Sequence, residues 1–195
     1  DVGDVAGCQA DQQARRFRFR SRLTSPMQTT LTTLLALVTK SLFSRAEPLG
    51  VGAPAPTLTA LNQDGQQVAF KDVYAKGPTL VYFYPKADTP GCTKQACSIR
   101  DDWSALGAKG IQVLGVSGDK PEGQKKFQEK YKLPFPLIAD SDGKVMEAFG
   151  VPSLLGIAKR QSFLVQDGKI VWEMLAASTS SHAQDVLAAY EKLKK

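Results

Sequence analysis

PTLVYFYPKADTPGCTKQAC, residues 78–97, runs from an apolar stretch through a turn into two cysteines five residues apart. Its first seven residues are rich in β-formers and bounded by Gly77-Pro78 and Pro85, which predicts a strand buried on both faces. From Thr93 the spacing changes: Ala96, Ile99, Trp103 and Leu106 fall at three- and four-residue steps. That period predicts an amphipathic helix ended by Gly110. A buried strand feeding a helix through a tight turn is the unit from which α/β sheets are built.

The flanking sequence extends the pattern. "TLTALNQDGQQVAF" alternates around Asn-Gln-Asp-Gly and predicts a small β-hairpin before the strand. "IQVLGVS" predicts a second buried strand, "KPEGQKKFQEKYKL" a charged helix, "PFPLIAD" a short strand and "GKVMEAFG" a short helix. "RQSFLVQDGKIVWEML" predicts two strands joined by Asp167-Gly168, and "SSHAQDVLAAYEKLKK" a closing helix with a cationic end. Strands alternating with helices and closing on an antiparallel hairpin imply an α/β fold whose mixed central sheet is flanked by helices.

Composition narrows the function classes. Apolar residues at 43% and charged residues at 23% describe a globular chain, neither disordered nor membrane-spanning. The formal charge of +6 is unevenly placed: residues 1–46 hold seven Lys/Arg against three Asp/Glu, leaving the rest close to neutral. The body therefore carries no basic footprint for nucleic acid.

Residues 1–46 are read apart from the domain, which is placed at residues 47–195. "ARRFRFRSRLTSPMQTT" is basic, and "LTTLLALVTKSLF" is an apolar run too short to span a bilayer. Two readings stand equally: a targeting segment, or a start upstream of the true one, with Met27 opening a short helix. Cytoplasmic location is the expectation, with an organelle (plastid-type) or export as the alternative if the segment is genuine. Cys8 stands alone in this segment and is expected to be unpaired. Three cysteines do not make a secreted disulfide scaffold, so a reducing compartment is the simpler reading.

Cys92 falls at the end of a strand and the start of a helix. Strand C-termini are where α/β sheets place their sites, and a helix N-terminus favours thiolate over thiol. Cys97 lies about 7.5 Å further along an intact helix and well round its axis. Bridgeable cysteines need Cα atoms within roughly 7 Å, so pairing the two requires the start of the helix to unwind. Core packing remains an alternative for Cys97, and less so for Cys92 between Gly91 and Thr93. A zinc site would need more ligands than two cysteines and His182, some ninety residues on, supply; His182 is expected to be a solvated residue at a helix start. The C-x-x-C spacing of thioredoxin-type exchange is absent.

This segment resembles the active site of peroxiredoxins, whose signature is Pro-x-x-x-Thr-x-x-Cys. Pro85, Thr89 and Cys92 match it, and the cysteine five residues later is similar to the peroxiredoxin Q / bacterioferritin comigratory protein branch. The likeness continues through "LGVSGDKPEGQKKFQEKYKLPFPLIAD", "FGV" and "RQSFLVQDGKIVW", covering roughly residues 48–194.

The resemblance implies a thioredoxin fold of the peroxiredoxin type with an N-terminal hairpin, and a thiol peroxidase acting on hydrogen peroxide and organic hydroperoxides. It implies Cys92 as the peroxidatic residue, Cys97 as the resolving one, and Arg160, in "KRQSF", as the active-site arginine. Thr89 would accept the Cys92 thiol or orient the peroxide, and Pro85 would shield the sulfur from water. Lys86, Lys94 and Arg100 could add positive potential, and Trp103 is read as core. No cofactor or metal is called for; thioredoxin or glutaredoxin would be the reductant, and a monomer is expected. Two rivals remain: a redox-controlled binding protein using the same disulfide as a switch, and an inert thioredoxin-fold interaction module.

Overall fold

The computed structural model describes residues 47–194, so the expectations for residues 1–46 and Cys8 lie outside the described residues. Its centre is a five-stranded mixed sheet of β3 (Thr79–Phe83), β4 (Gln112–Ser117), β5 (Leu137–Ala139), β8 (Gln161–Gln166) and β9 (Lys169–Met174). The strand order is β5-β4-β3-β8-β9, with β3, β4 and β5 parallel and β3, β8 and β9 antiparallel. The hairpin β1 (Thr59–Leu61)–β2 (Gln67–Ala69) precedes it, as its alternation predicts.

Strand β3 is buried at every position, as an apolar run in a two-faced sheet must be. Successive side chains alternate between faces. Leu80 and Tyr82 join one core with Cys92, Ala96 and Ile99 of α2 (Pro90–Asp101), Phe127 of α4 (Pro121–Tyr131), and Val186 and Tyr190 of α6 (His182–Leu193). Val81 and Phe83 join the opposite core with Phe70 of α1 (Phe70–Tyr74) and Val145 and Met146 of α5 (Lys144–Ala148). Trp103, on the short α3 (Trp103–Ala108), packs half-buried against the first core.

Three local differences from the sequence reading have physical causes. Helix α2 starts at Pro90 rather than after the cysteine, because proline suits the first helical position, where its missing N–H costs nothing. The helix expected to run to Gly110 breaks at Asp102, whose ψ of 14° leaves the helical region and starts α3. A tight hairpin, β6 (Ser153–Leu154)–β7 (Ile157–Ala158), was not expected; Leu155 and Gly156 turn it with φ of 52° and 77°. Two-residue strands are too short to leave a periodic signal.

Gly115 shows how closely the first core is packed. A Cβ added there would lie 2.7 Å from the Tyr82 hydroxyl and 2.8 Å from Leu137 Cδ2, both on fully buried side chains. Gly115→Ala is therefore expected to lower the unfolding free energy by about 1–3 kcal/mol through overpacking, measured by urea denaturation. An unchanged midpoint would show that the Tyr82 ring can shift.

Candidate active site

The loop from Pro85 to Thr89 joins β3 to α2 and is held from both sides. The Ala87 amide donates to Asp119 Oδ2 at 2.7 Å. Asp88, at φ 58°, accepts from Lys130 Nζ and from the Tyr131 hydroxyl at 2.7 Å, both on α4. An aspartate tolerates the left-handed region better than most residues. Deeper in, the Tyr84 hydroxyl donates to Gln124, whose amide donates to Ser117 Oγ at 2.8 Å and to the Ile138 carbonyl at 2.9 Å. Strand ends and α4 are thus locked together beneath the loop.

Thr89 is the N-cap residue of α2, in extended conformation at φ −94° and ψ 152°. Its hydroxyl donates to the Lys86 carbonyl at 3.0 Å, not to the sulfur, and it accepts from no helix amide. Pro85 is half-buried at the strand end. Cys92 follows as the third residue of α2, on the face it shares with Gln95, Ala96 and Ile99, and is 1% exposed. These positions at i, i+3, i+4 and i+7 make one stripe against the sheet. Cys97 falls off that stripe and is half-buried, which removes the core-filling alternative for it; both cysteines are free and the helix between them is intact.

Arg160 comes from the other side of the sheet order, one residue before β8. Its Nη2 donates to Cys92 Sγ at 3.3 Å, and its Nη1 donates to Gln95 Oε1. A guanidinium therefore meets a sulfur carried in the first turn of a helix. Arg100 is not part of this cluster: it is engaged by Asp101 and the Tyr131 carbonyl. Lys86 and Lys94 are exposed.

His182 overturns the expectation of a solvated residue. It is fully buried, with Nδ1 at 2.8 Å from Gln95 Nε2 and Nε2 at 2.9 Å from Ser162 Oγ. Its sequence neighbours are polar, but its position is set by α6 packing on α2 and the sheet, which no local pattern reveals. Gln95 was also missed; its only sequence signal is the three-residue step from Cys92 on the helix's buried stripe. Among the described residues no cluster of His, Cys, Asp and Glu could hold a metal ion. A cleft of about 340 Å³ beside the β1–β2 hairpin and α5 shares no residue with this cluster.

Similarity to known proteins places the chain in a family. A family model described as the AhpC/TSA family matches residues 51–173. The peroxiredoxin Bcp of Escherichia coli K12 is 45% identical over 148 residues, spanning 72% of this chain and 94% of that protein. The crystal structure of peroxidoxin BcpB from Mycobacterium tuberculosis superposes with a TM-score of 0.71 at 31% identity, covering 75% of this chain and 99% of that one. That of the bacterioferritin comigratory protein of Xanthomonas campestris, studied for its alkyl peroxide reduction activity, gives 0.69 at 28% identity, covering 75% and 100%. This chain belongs to the AhpC/TSA family, and its fold is the thioredoxin fold of the peroxiredoxins. Within the family its relatives are the Bcp and Q peroxiredoxins, which makes it an oxidoreductase of the thiol peroxidase class.

The buried histidine sets a pH dependence. Burial holds its pKa down to about 4, with Asp185 opposing and Arg160 assisting. Below the ordinary value of 6.5 the unfolded chain takes up a proton that the folded chain refuses until about pH 4. Stability from this group is therefore full above 6.5 and lost as pH falls through that window, by about 3 kcal/mol. Asp140 acts with the opposite sign: burial pushes it up to about 6 from 3.8, so its contribution is full below 3.8 and lost as pH rises through 6. The test is thus a difference: between pH 7 and pH 4, wild type should lose about 3 kcal/mol more than His182→Asn in urea denaturation. Parallel curves would show that the imidazole takes up its proton in the folded state as readily as in the unfolded chain.

Proposed function

We propose that this protein reduces hydrogen peroxide and organic hydroperoxides through Cys92, with Cys97 resolving the oxidised sulfur and thioredoxin returning the disulfide to dithiol. The observation that carries the reading is the Arg160 guanidinium on the Cys92 sulfur at 3.3 Å, at the N-terminus of α2. A thiolate is the nucleophile, and a guanidinium presents several N–H donors in a fixed fork. One donor steadies the sulfur while the fork can also reach the oxygen that leaves.

The chemistry balances in three steps. The Cys92 sulfur attacks the O–O bond, keeps one oxygen as sulfenic acid and releases the other as water or alcohol. The Cys97 thiol then attacks the sulfenic sulfur, forming the Cys92–Cys97 disulfide and expelling water. An outside dithiol supplies two electrons by thiol–disulfide exchange. Thr89 spends its single O–H on the Lys86 carbonyl, which leaves its lone pairs as acceptors for the peroxide O–H. Pro85 and the burial of Cys92 keep bulk water off the sulfur.

Resolution requires motion, because α2 holds the two cysteines on different faces. Its first turn is suited to opening: it contains Gly91, about 1 kcal/mol poorer than alanine in a helix, and the N-cap makes no side-chain bond. Oxidation to the disulfide is expected to reduce far-UV helical ellipticity, with full recovery on reduction. Identical spectra for the two forms would remove the unwinding step.

Turnover with NADPH, thioredoxin reductase and thioredoxin distinguishes a peroxidase from a redox-controlled binding protein. Cys92→Ser should lower peroxide consumption by roughly a thousandfold or more, as loss of a nucleophile does. Cys97→Ser should consume one equivalent of peroxide and stall at the sulfenic acid, and a second equivalent should carry it to the sulfinic form, both read by mass spectrometry. Full activity of Cys92→Ser would refute the assignment, and sustained cycling of Cys97→Ser on thioredoxin would remove Cys97 from the cycle.

A further inference from the structure

Behind Arg160 lies a run of hydrogen bonds between three fully buried side chains, Gln95, His182 and Ser162, from α2, α6 and β8. Its directions are fixed by chemistry. Arginine has donors only, so the Gln95 atom facing Arg160 Nη1 must be the amide oxygen. The amide nitrogen then faces His182 Nδ1 at 2.8 Å and donates to it. Nδ1 must therefore carry a lone pair, leaving the proton on Nε2 to be donated to Ser162 Oγ at 2.9 Å. One tautomer of one protonation state satisfies every partner.

We propose that His182 is a positioning residue for the peroxidatic site: as a neutral acceptor it orients the Gln95 amide, which in turn holds the Arg160 guanidinium on Cys92. The proposal rests on the reading of Cys92 as the attacking sulfur. Without an acceptor at Nδ1, a buried amide N–H is left unpaired, and the Gln95 side chain gains by rotating away from Arg160. Arg160 then keeps its tether to the sulfur but loses the bond that aims it. The groups facing the imidazole favour the neutral form. Tyr82 of β3 meets it edge-on at 5.8 Å between ring centroids, Ser162 and Gln95 occupy its nitrogens, and Arg160 adds a positive charge nearby. The opposing charge, Asp185, has its carboxylate taken up by the Ser178 and Ser181 hydroxyls at 2.7 and 3.1 Å.

The test compares His182→Leu, which removes the acceptor, with His182→Asn, whose amide oxygen can replace Nδ1. The readout is the second-order rate constant of the reduced full-length protein with hydrogen peroxide, by stopped-flow tryptophan fluorescence at pH 7.5. His182→Leu should slow the reaction by about tenfold, the size of one misplaced charge-assisted hydrogen bond, and His182→Asn should recover to within about threefold of wild type. In an Arg160→Met background, His182→Leu should cost nothing further, because its effect runs through the arginine. A structural role alone would slow both backgrounds equally, and that result would overturn the proposal, as would a wild-type rate for His182→Leu.

A measurement on wild type guards against a variant that fails to fold. His182 is the chain's single histidine, so its imidazole nitrogens give unambiguous ¹⁵N signals. In the reduced protein at pH 6 they should report the neutral form with hydrogen on Nε2; a cation or the Nδ1–H form would overturn the proposal. If Cys92→Ser retains full turnover, the peroxidase reading fails. If that variant is inactive and His182→Leu reacts at the wild-type rate, only the present inference fails.

Discussion

The contact between Arg160 and Cys92 joins residues 68 positions apart in the chain, and the topology exists in a form that makes it possible. Strands β3 and β8 are antiparallel with Phe83 opposite Gln161. The end of β3 that leads towards α2 therefore abuts the start of β8, and Arg160, one residue earlier, arrives beside the first turn of the helix. A register slip of one residue would turn each side chain of β8 to the other face and move the guanidinium away from the sulfur. Register is held because both faces of these strands are buried in separate apolar cores.

Placing such a group inside a core has a cost that the surrounding hydrogen bonds offset. Gln95, Ser162 and His182 are fully buried beside aromatic rings, where an unpaired polar atom would cost a few kcal/mol. Each is paired to the next, and the run ends on the one cation of the site. Gly91 lies beside that cation: a Cβ there would meet Arg160 Nη2 at 3.4 Å and Thr179 Cγ2 at 3.7 Å, ordinary van der Waals contact. The same glycine weakens the first helical turn.

The loop carrying Pro85 and Thr89 shows how rigidity is distributed around that weak turn. Asp88 is pinned to α4 by Lys130 and Tyr131, and Ala87 to Asp119, so the loop is anchored by contacts outside the helix it leads into. The Lys130–Asp88 ion pair is surface-exposed and worth little by itself. The geometry these contacts hold matters more than that energy, since Asp88 sits at positive φ and sets the direction in which the chain enters α2.

Local patterns in the sequence determined the central strands, the first hairpin, most helices and the two-cysteine junction, while the candidate arginine came from the resemblance to peroxiredoxins. Each of those signals lies within a window of a dozen residues: an apolar run for β3, a helical stripe for Ala96 and Ile99, a turn dipeptide for β8–β9. What only the tertiary structure decided is which distant groups meet. His182 follows two serines and reads as solvated, yet α6 carries it into the core against α2 and β8. Likewise nothing near Gln95 announces a partner 87 residues away. Burial and hydrogen bonding at such positions depend on chain segments that share no window, so they become visible only once the sheet has set its register.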